Sequence, residues 1–581
     1  MIRKRISLFA RLLTGLLVVA GNLSAAQAEE STTPTATPVA AAPVIPAAAV
    51  PAVAVEPLSA IIDRLISANV ADYDKLAAPV TTDAEFLRRI SIDLTGAPPT
   101  SKQAREFLAD TSPDKRTKLI DQLLASPEFP RELARILDQI LMLRRPAQNV
   151  AHADWKAYLH KSCVDNKPWN VLVSEILSSD GVENQSRPAA RFYLDRGGEV
   201  NLITRDIGQI FLGVNLECAQ CHDHPHVDDW KQRHYYGLSA FLVRSSLFKE
   251  GDKQVLQEQA AGEVKFESVF EIRDKVSTGP KTTLPRVFEG PAVLEPKFDF
   301  GQEYARAPAK DVRPIPNFSR RQQLADAVTD PNNRQFRRTI ANRLWATFMG
   351  RGLVHPVEAD HSDNPASHPE LMNLLAENIA ARNYDLKAFI RDLVLSKTYQ
   401  RSSQRTAEQM ATPMPEPETF AVAPLRGLTA EQMAWSTLQA TGVTENYRVN
   451  LGANLTEPKL YEQLSGTEQH FVNLFGGEPG KPTKDFETSI EQTLWLSNDA
   501  TIQGWLAASG VNLTQRLAAL PQQDMQAISD ELYLSCLTRQ PTAEDVQDVA
   551  AYLADRTDTR PAAYQELVWA LVTSAEFRFN H

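Results

Sequence analysis

The chain has 581 residues, 43% hydrophobic and 23% charged, a globular composition with length for two to four domains. Its net charge of −11 excludes the basic face that nucleic-acid binding requires. Four cysteines are too few to staple an exported scaffold, so stability is expected to rest on core packing.

The N-terminus has the layout of an export signal. Arg3, Lys4, Arg5 and Arg11 are basic, Leu12 to Ala20 is apolar, and Ala26-Gln27-Ala28 is a cleavage site. Residues 1–28 are therefore assigned as a signal peptide. Its apolar run is too short to cross a bilayer comfortably, and no later run of about 18 or more apolar residues suited to a span is read in the chain. An exported, periplasmic or extracellular protein is expected, with no nucleic-acid partner and no stable membrane span after cleavage. Residues 29–57 are rich in Pro, Ala and Val, a composition that favours an extended tether.

From Leu58 the pattern turns helical. Leu58, Ile61, Ile62, Leu65 and Ile66 recur at helical spacing. Thr82-x-x-Glu85 and Thr100-x-x-Gln103 are capping-box signals for the next two helices. Pro113 suits the first turn of another, whose buried stripe is Leu119, Ile120, Leu123 and Leu124. A further helix is predicted over most of 153–177 and one more from about Asn201 to Leu212. Residues 263–303 alternate apolar and polar side chains between Gly and Pro breaks, which predicts strands. Helices resume from Ser319.

The expected fold is thus mainly α, two helical domains over 58–245 and 316–581 with a small β-rich insert over 246–315. Segments 94–129, 366–399 and 537–577 look like repeated helical hairpins, each ending on Ser-x-x-Phe or Ser-x-x-Tyr.

The stretch LECAQCHDHPH, Leu216 to His226, concentrates the chemistry. Cys218-x-x-Cys221-His222 has the order of c-type haem attachment. Two thiols at this spacing can add to the two vinyl groups of one porphyrin edge, and the next residue then lies under the iron. With 4 Cys and 11 His in the chain, chance produces the pattern roughly 5 times in 10,000 such sequences.

Two other chemistries remain open. Cys218, Cys221, His224 and His226 form an alternative set for zinc or another transition metal. In the other, Cys218 and Cys221 pair as a redox or structural disulfide in a surface-interaction protein, though no thioredoxin-like pattern surrounds them. A six-coordinate haem needs a second axial ligand. His224 and His226 are too close to His222 to wrap the macrocycle, which leaves His355, His361, His368, Met349 and Met142. There is no Gly-rich phosphate loop and no nucleophile elbow, and the carboxylates single out no glycosidase pair.

EFLRRISIDLTGAPPT and GQIFLGVNLECAQCHDHPHVDDWKQRHYYGLSAFLVR resemble the planctomycete cytochrome-like domain, domain-of-unknown-function family fifteen-forty-nine. The stretch from RRQQLADAVTDPNNRQFRRTIANRLWATFMGRGL to LVLSKTYQRSS is similar to its usual partner, family fifteen-fifty-three. The resemblance extends over nearly everything after Leu58. It implies an exported protein whose Cys218, Cys221 and His222 bind haem c, with His222 as the proximal ligand and a redox partner protein. The chain departs from the family in carrying His226 where a phenylalanine is usual, and in the texture of ARILDQILMLRR. The Pro/Ala tether occupies the place of a separate cytochrome module. The matched polar residues Asn342, Arg343, Trp345, Arg351, His368 and Glu370 are expected either to face the loop, in a polar cleft with Asp223, or to satisfy buried backbone carbonyls between domains.

Overall fold

The computed structural model describes residues 56–478 and 489–580. The signal peptide and all but the last two residues of the tether lie outside them. The described residues belong to one unit, Glu56–His581.

Two helical stretches flank a small β region, as the patterning predicts. The larger core runs from Leu58 to Ala421 and draws side chains from both stretches. A second core takes residues from Leu428 to Phe577, together with Ile92 from the N-terminal stretch.

The motif EFLRRISIDLTG shows how the parts are joined. It forms the helix Asp83–Thr95, closed by Gly96 in the left-handed conformation. Its charged residues are buried, because each satisfies a backbone or side chain far along the chain. Arg88 donates to the carbonyls of Cys536 (3.1 Å) and Phe577 (2.8 Å). Arg89 donates to those of Tyr399 and Arg401, both at 2.7 Å. Asp93 accepts from Tyr399 Oη (2.8 Å), Arg426 (2.6 Å) and Asn580 (2.7 Å). One helix thereby ties both cores to the end of the chain, where Phe579–Asn580 pairs with Arg426–Gly427.

The three hairpin segments share one closure. Their second helices are Lys115–Ala125, Leu386–Leu395 and Arg560–Val572. In each, the following serine N–H (Ser126, Ser396, Ser574) bonds the carbonyl three residues earlier. The aromatic three residues on (Phe129, Tyr399, Phe577) is buried. At Ser396 and Ser574 the hydroxyl also accepts the aromatic residue's N–H, at 3.2 Å in both cases. The serine stops the helix and turns the chain so that the ring enters the core.

Three details differ from the sequence expectation. The helix predicted over 153–177 is two helices, His152–Val164 and Trp169–Ser178. Asn166 adopts a positive φ and Pro168 cannot donate to a continuing ladder, so the chain turns between them. Pro113 precedes its helix, which begins at Lys115 after Asp114. In the insert the longest pairing is the hairpin Ser245–Glu250 with Lys253–Glu258, outside the alternating 263–303 stretch. That stretch yields only Val264–Phe266 paired with Lys281–Thr283 and a short helix, Val269–Arg273. Its prolines remove the donors that a longer ladder needs.

Candidate functional site

The Cys-His loop follows the helix Val200–Leu212. Gly213 ends that helix in the left-handed conformation, and a Cβ there would meet Thr339 Oγ1 at 2.7 Å, so only glycine fits. Gly213 O accepts from Asp360 N (3.1 Å) and Val214 bridges to Ala359. The loop therefore leaves its helix already docked on the 353–364 segment of the second helical stretch.

Cys218–Gln220 forms one turn of 3₁₀ helix, with the Cys221 N–H on Cys218 O at 3.1 Å. Both thiols are exposed and unpaired, so no Cys218–Cys221 disulfide is present. Ala219, between them, is buried and anchors the turn.

The remainder is clamped by its own far end. Asp223 Oδ1 accepts the Gln232 N–H (2.7 Å), capping the helix Gln232–Leu242 from across the loop. Gln232 Nε2 donates to Cys221 O (3.0 Å), His224 N to Trp230 O (2.9 Å), and Tyr236 Oη to Gln220 O (3.1 Å). Asp223 is thus spent on holding the loop.

His222 has a defined tautomer. Its Nδ1 lies 2.6 Å from Asp223 O. A carbonyl oxygen only accepts, so Nδ1 carries the proton and Nε2 keeps its lone pair. Metal-ligating histidines are held in this way, through the ring nitrogen that does not bind.

His224 and His226 point into a different group. His224 meets Trp230 edge-on, with ring centroids 5.1 Å apart, and Trp230 meets His361 edge-on at 5.0 Å. His224 Nδ1 accepts the His226 N–H (3.2 Å). Burial, and then the neighbouring rings of His226, His361 and His222, hold His224 below the usual histidine range. Asp229 Oδ2 accepts the Ser362 N–H (2.5 Å) and fixes His361 beside the loop. Among the five remote residues considered as a second axial ligand, His361 contacts the loop through Trp230. Met142 and Met349 are buried in the core, and Met142 Sδ lies 3.6 Å from Arg196. His355 is exposed, and its carbonyl accepts from Asn364 (3.3 Å).

The expected polar cleft is not assembled. Asn342 spends both amide atoms on the backbone of Val354, donating at 2.8 Å and accepting at 3.1 Å. Arg343 donates to the carbonyls of Gln209 (2.7 Å) and Ile210 (3.3 Å) at the end of the preceding helix. His368 is buried against Phe420, with Nδ1 3.1 Å from Ser367 Oγ, and burial pushes it down to about 4. Glu370 is exposed in the first turn of Pro369–Ala381. None of these shares a hydrogen-bond or ring partner with Asp223. Asn342 thus serves the backbone of its own helical stretch, and Arg343 serves carbonyls of the N-terminal stretch. Trp345 is fully buried against Phe420, and Arg351 pairs at 3.8 Å with Glu418.

The donor set fits a c-type haem: two accessible thiols in the required order, and a histidine with a free Nε2. Clefts of about 310, 640, 800 and 480 Å³ lie elsewhere, none lined by a loop residue. Among the described residues no three His, Cys, Asp or Glu side chains are grouped to hold a metal ion.

Trp230 and Gln232 were not anticipated from the sequence as part of the site. Their only sequence signal is proximity to the motif. No helix among the described residues is long and apolar enough to cross a membrane.

No curated protein and no solved structure matches the chain. Residues 61–246 match the family described as PSCyt2, protein of unknown function (DUF1549), and the match contains the entire loop. Residues 320–553 match PSD1, protein of unknown function (DUF1553), which supplies His361. The chain therefore carries a PSCyt2 domain followed by a PSD1 domain, and it belongs to the proteins of this planctomycete-type architecture.

Proposed function

We propose that the chain is an exported, periplasmic or extracellular, c-type haem protein that exchanges electrons with a redox partner protein. Cys218 and Cys221 are the thioether anchors and His222 the proximal ligand. The observation that carries the reading is the His222 Nδ1 contact with Asp223 O, which leaves Nε2 available in the residue directly after the second thiol. Exposure of both thiols supports it, since attachment requires access to them.

When bound, the haem supplies one-electron chemistry at its iron. The protein's own part is to orient. Gln232 holds the Cys221 carbonyl, and Asp223 holds the first turn of the following helix, so the thiols and the imidazole keep a fixed spacing.

The test is an absorption spectrum of protein exported in cells competent for cytochrome c maturation. A Soret band that stays with the denatured chain, and is lost in Cys218→Ser/Cys221→Ser, is expected. Colourless protein overturns the proposal. Zinc in that colourless protein assigns the loop to the metal alternative, and a Cys218–Cys221 disulfide assigns it to a structural role.

A further inference from the structure

A second site lies away from the loop, between the helices Glu128–Met142 and His152–Val164 on one side and Glu457–Phe475 on the other. Two adjoining clefts, of about 310 and 640 Å³, share Arg135, Asp138, His152, Lys156 and Gln469 as lining.

At the floor is Glu468, fully buried. Its carboxylate oxygens are all used: Oε2 by Arg135 and Trp435 Nε1 (2.7 Å), Oε1 by Lys156 (3.0 Å) and Tyr461 Oη (2.9 Å). Glu431, in the smaller cleft, is likewise taken by Arg144 and by Gln139 (3.1 Å). Of the other acids lining the larger cleft, Glu457 pairs with Arg131 and Glu462 is exposed. Several donors at the polar end are not used.

Three donors are unspent. His152 Nδ1 is 3.1 Å from Arg191 Nη1, and arginine can only donate, so the imidazole is neutral with its proton on Nε2. The buried Arg191–Asp195 ion pair (2.8 Å) fixes that orientation. Among the described residues no group accepts from His152 Nε2–H. Lys156 donates to Tyr461 Oη and Glu468 and retains one N–H. Arg145 reaches Asp206 (3.2 Å) through Nη2, and its buried Nε has no partner. Against these stand Asp138, which uses Oδ1 for Trp155 Nε1 (2.7 Å), and the exposed Glu462 of the larger cleft.

The larger cleft continues from this polar end along small side chains. Ala134 and Ala157 line one wall, and Gly466 with the Tyr461 ring lines the other. A Cβ added at Gly466 would meet no atom within 4 Å, so the groove is open there.

We infer that this cleft binds a monocarboxylate with an apolar tail, its carboxylate on His152, Lys156 and Arg145 and its tail along Ala134, Ala157 and Gly466. Excess donors select an anion over a cation, and an apolar channel selects a tailed acid over a small one.

The experiment is calorimetric titration of the full exported chain with sodium octanoate, sodium acetate and octylammonium chloride. Octanoate is expected to saturate one site, with acetate and octylammonium at least tenfold weaker. Gly466→Phe fills the groove from an open position and is expected to weaken octanoate at least tenfold with an unchanged melting temperature. Octanoate that fails to saturate, octylammonium that binds as tightly, or Gly466→Phe that folds and binds octanoate like the parent would each overturn the inference.

Discussion

The Cys-His loop and the charged cleft hold their reactive groups in opposite ways. In the loop, Cys218, Cys221 and His222 are near solvent, and backbone carbonyls and a cap at Asp223 fix their positions. In the cleft, buried Arg135 and Glu468 and half-buried Lys156 are positioned by one another. A side chain held by the backbone can be replaced without leaving a partner stranded. A buried charge held by other charges cannot, because its removal strands ions that are costly to desolvate.

The largest expected effect therefore lies in the cleft. Glu468→Gln removes the negative charge that Arg135 and Lys156 share, and should destabilise the chain by about 3–5 kcal/mol. Chemical denaturation of the variant against the parent measures it, and a loss near zero would erase the contrast between the two regions.

Acid should strain the cleft next. Burial, then the Lys156 charge, pushes His152 down to about 4. The unfolded chain therefore takes up this proton near its ordinary value of about 6.5 while the native chain does not, so stability falls as pH drops from about 6.5 towards 4. Buried His368 acts in the same direction. Glu468 adds to it. Burial raises its carboxyl, but Arg135 and Lys156 outweigh that and hold it well below the usual range, so its contribution is full above about pH 4.5 and is lost below. A melting temperature that is flat between pH 6.5 and 4 would contradict this.

Asp223→Ala tests the cap that reaches across the loop. Loss of the bond to Gln232 N should cost about 1 kcal/mol, and hydrogen exchange at Gln232 to His234 should accelerate. Cys218→Ser/Cys221→Ser should have the smallest effect on the protein as folded without haem. Both side chains are exposed, so the change should stay within about 0.5 kcal/mol by the same denaturation measurement. A loss comparable to that of Glu468→Gln would show the thiols to be structural.

Legibility followed the range of the interactions. Thr100 and Gln103 form the reciprocal capping box that their spacing implies, because both partners lie within one turn. The Ser-x-x-aromatic closures were legible for the same reason. The break at Asn166 was missed, since the helical periodicity on both sides outweighed a Lys-Pro pair that stops the ladder. Asp223 was visible as a polar residue beside the motif, but its task depends on where Gln232 lies.

By itself the sequence determined the helical class, the β insert, the order Cys218-x-x-Cys221-His222 and the two-family architecture. All are local patterns or contiguous motifs. Only the tertiary structure decided that His361 packs beside the loop, that Asn342 and Arg343 serve backbone carbonyls, and that Arg135, Lys156 and Glu468 meet in one cleft. The physical reason is that a buried polar group must find a partner, and the partner's distance along the chain leaves no mark on the residues next to it.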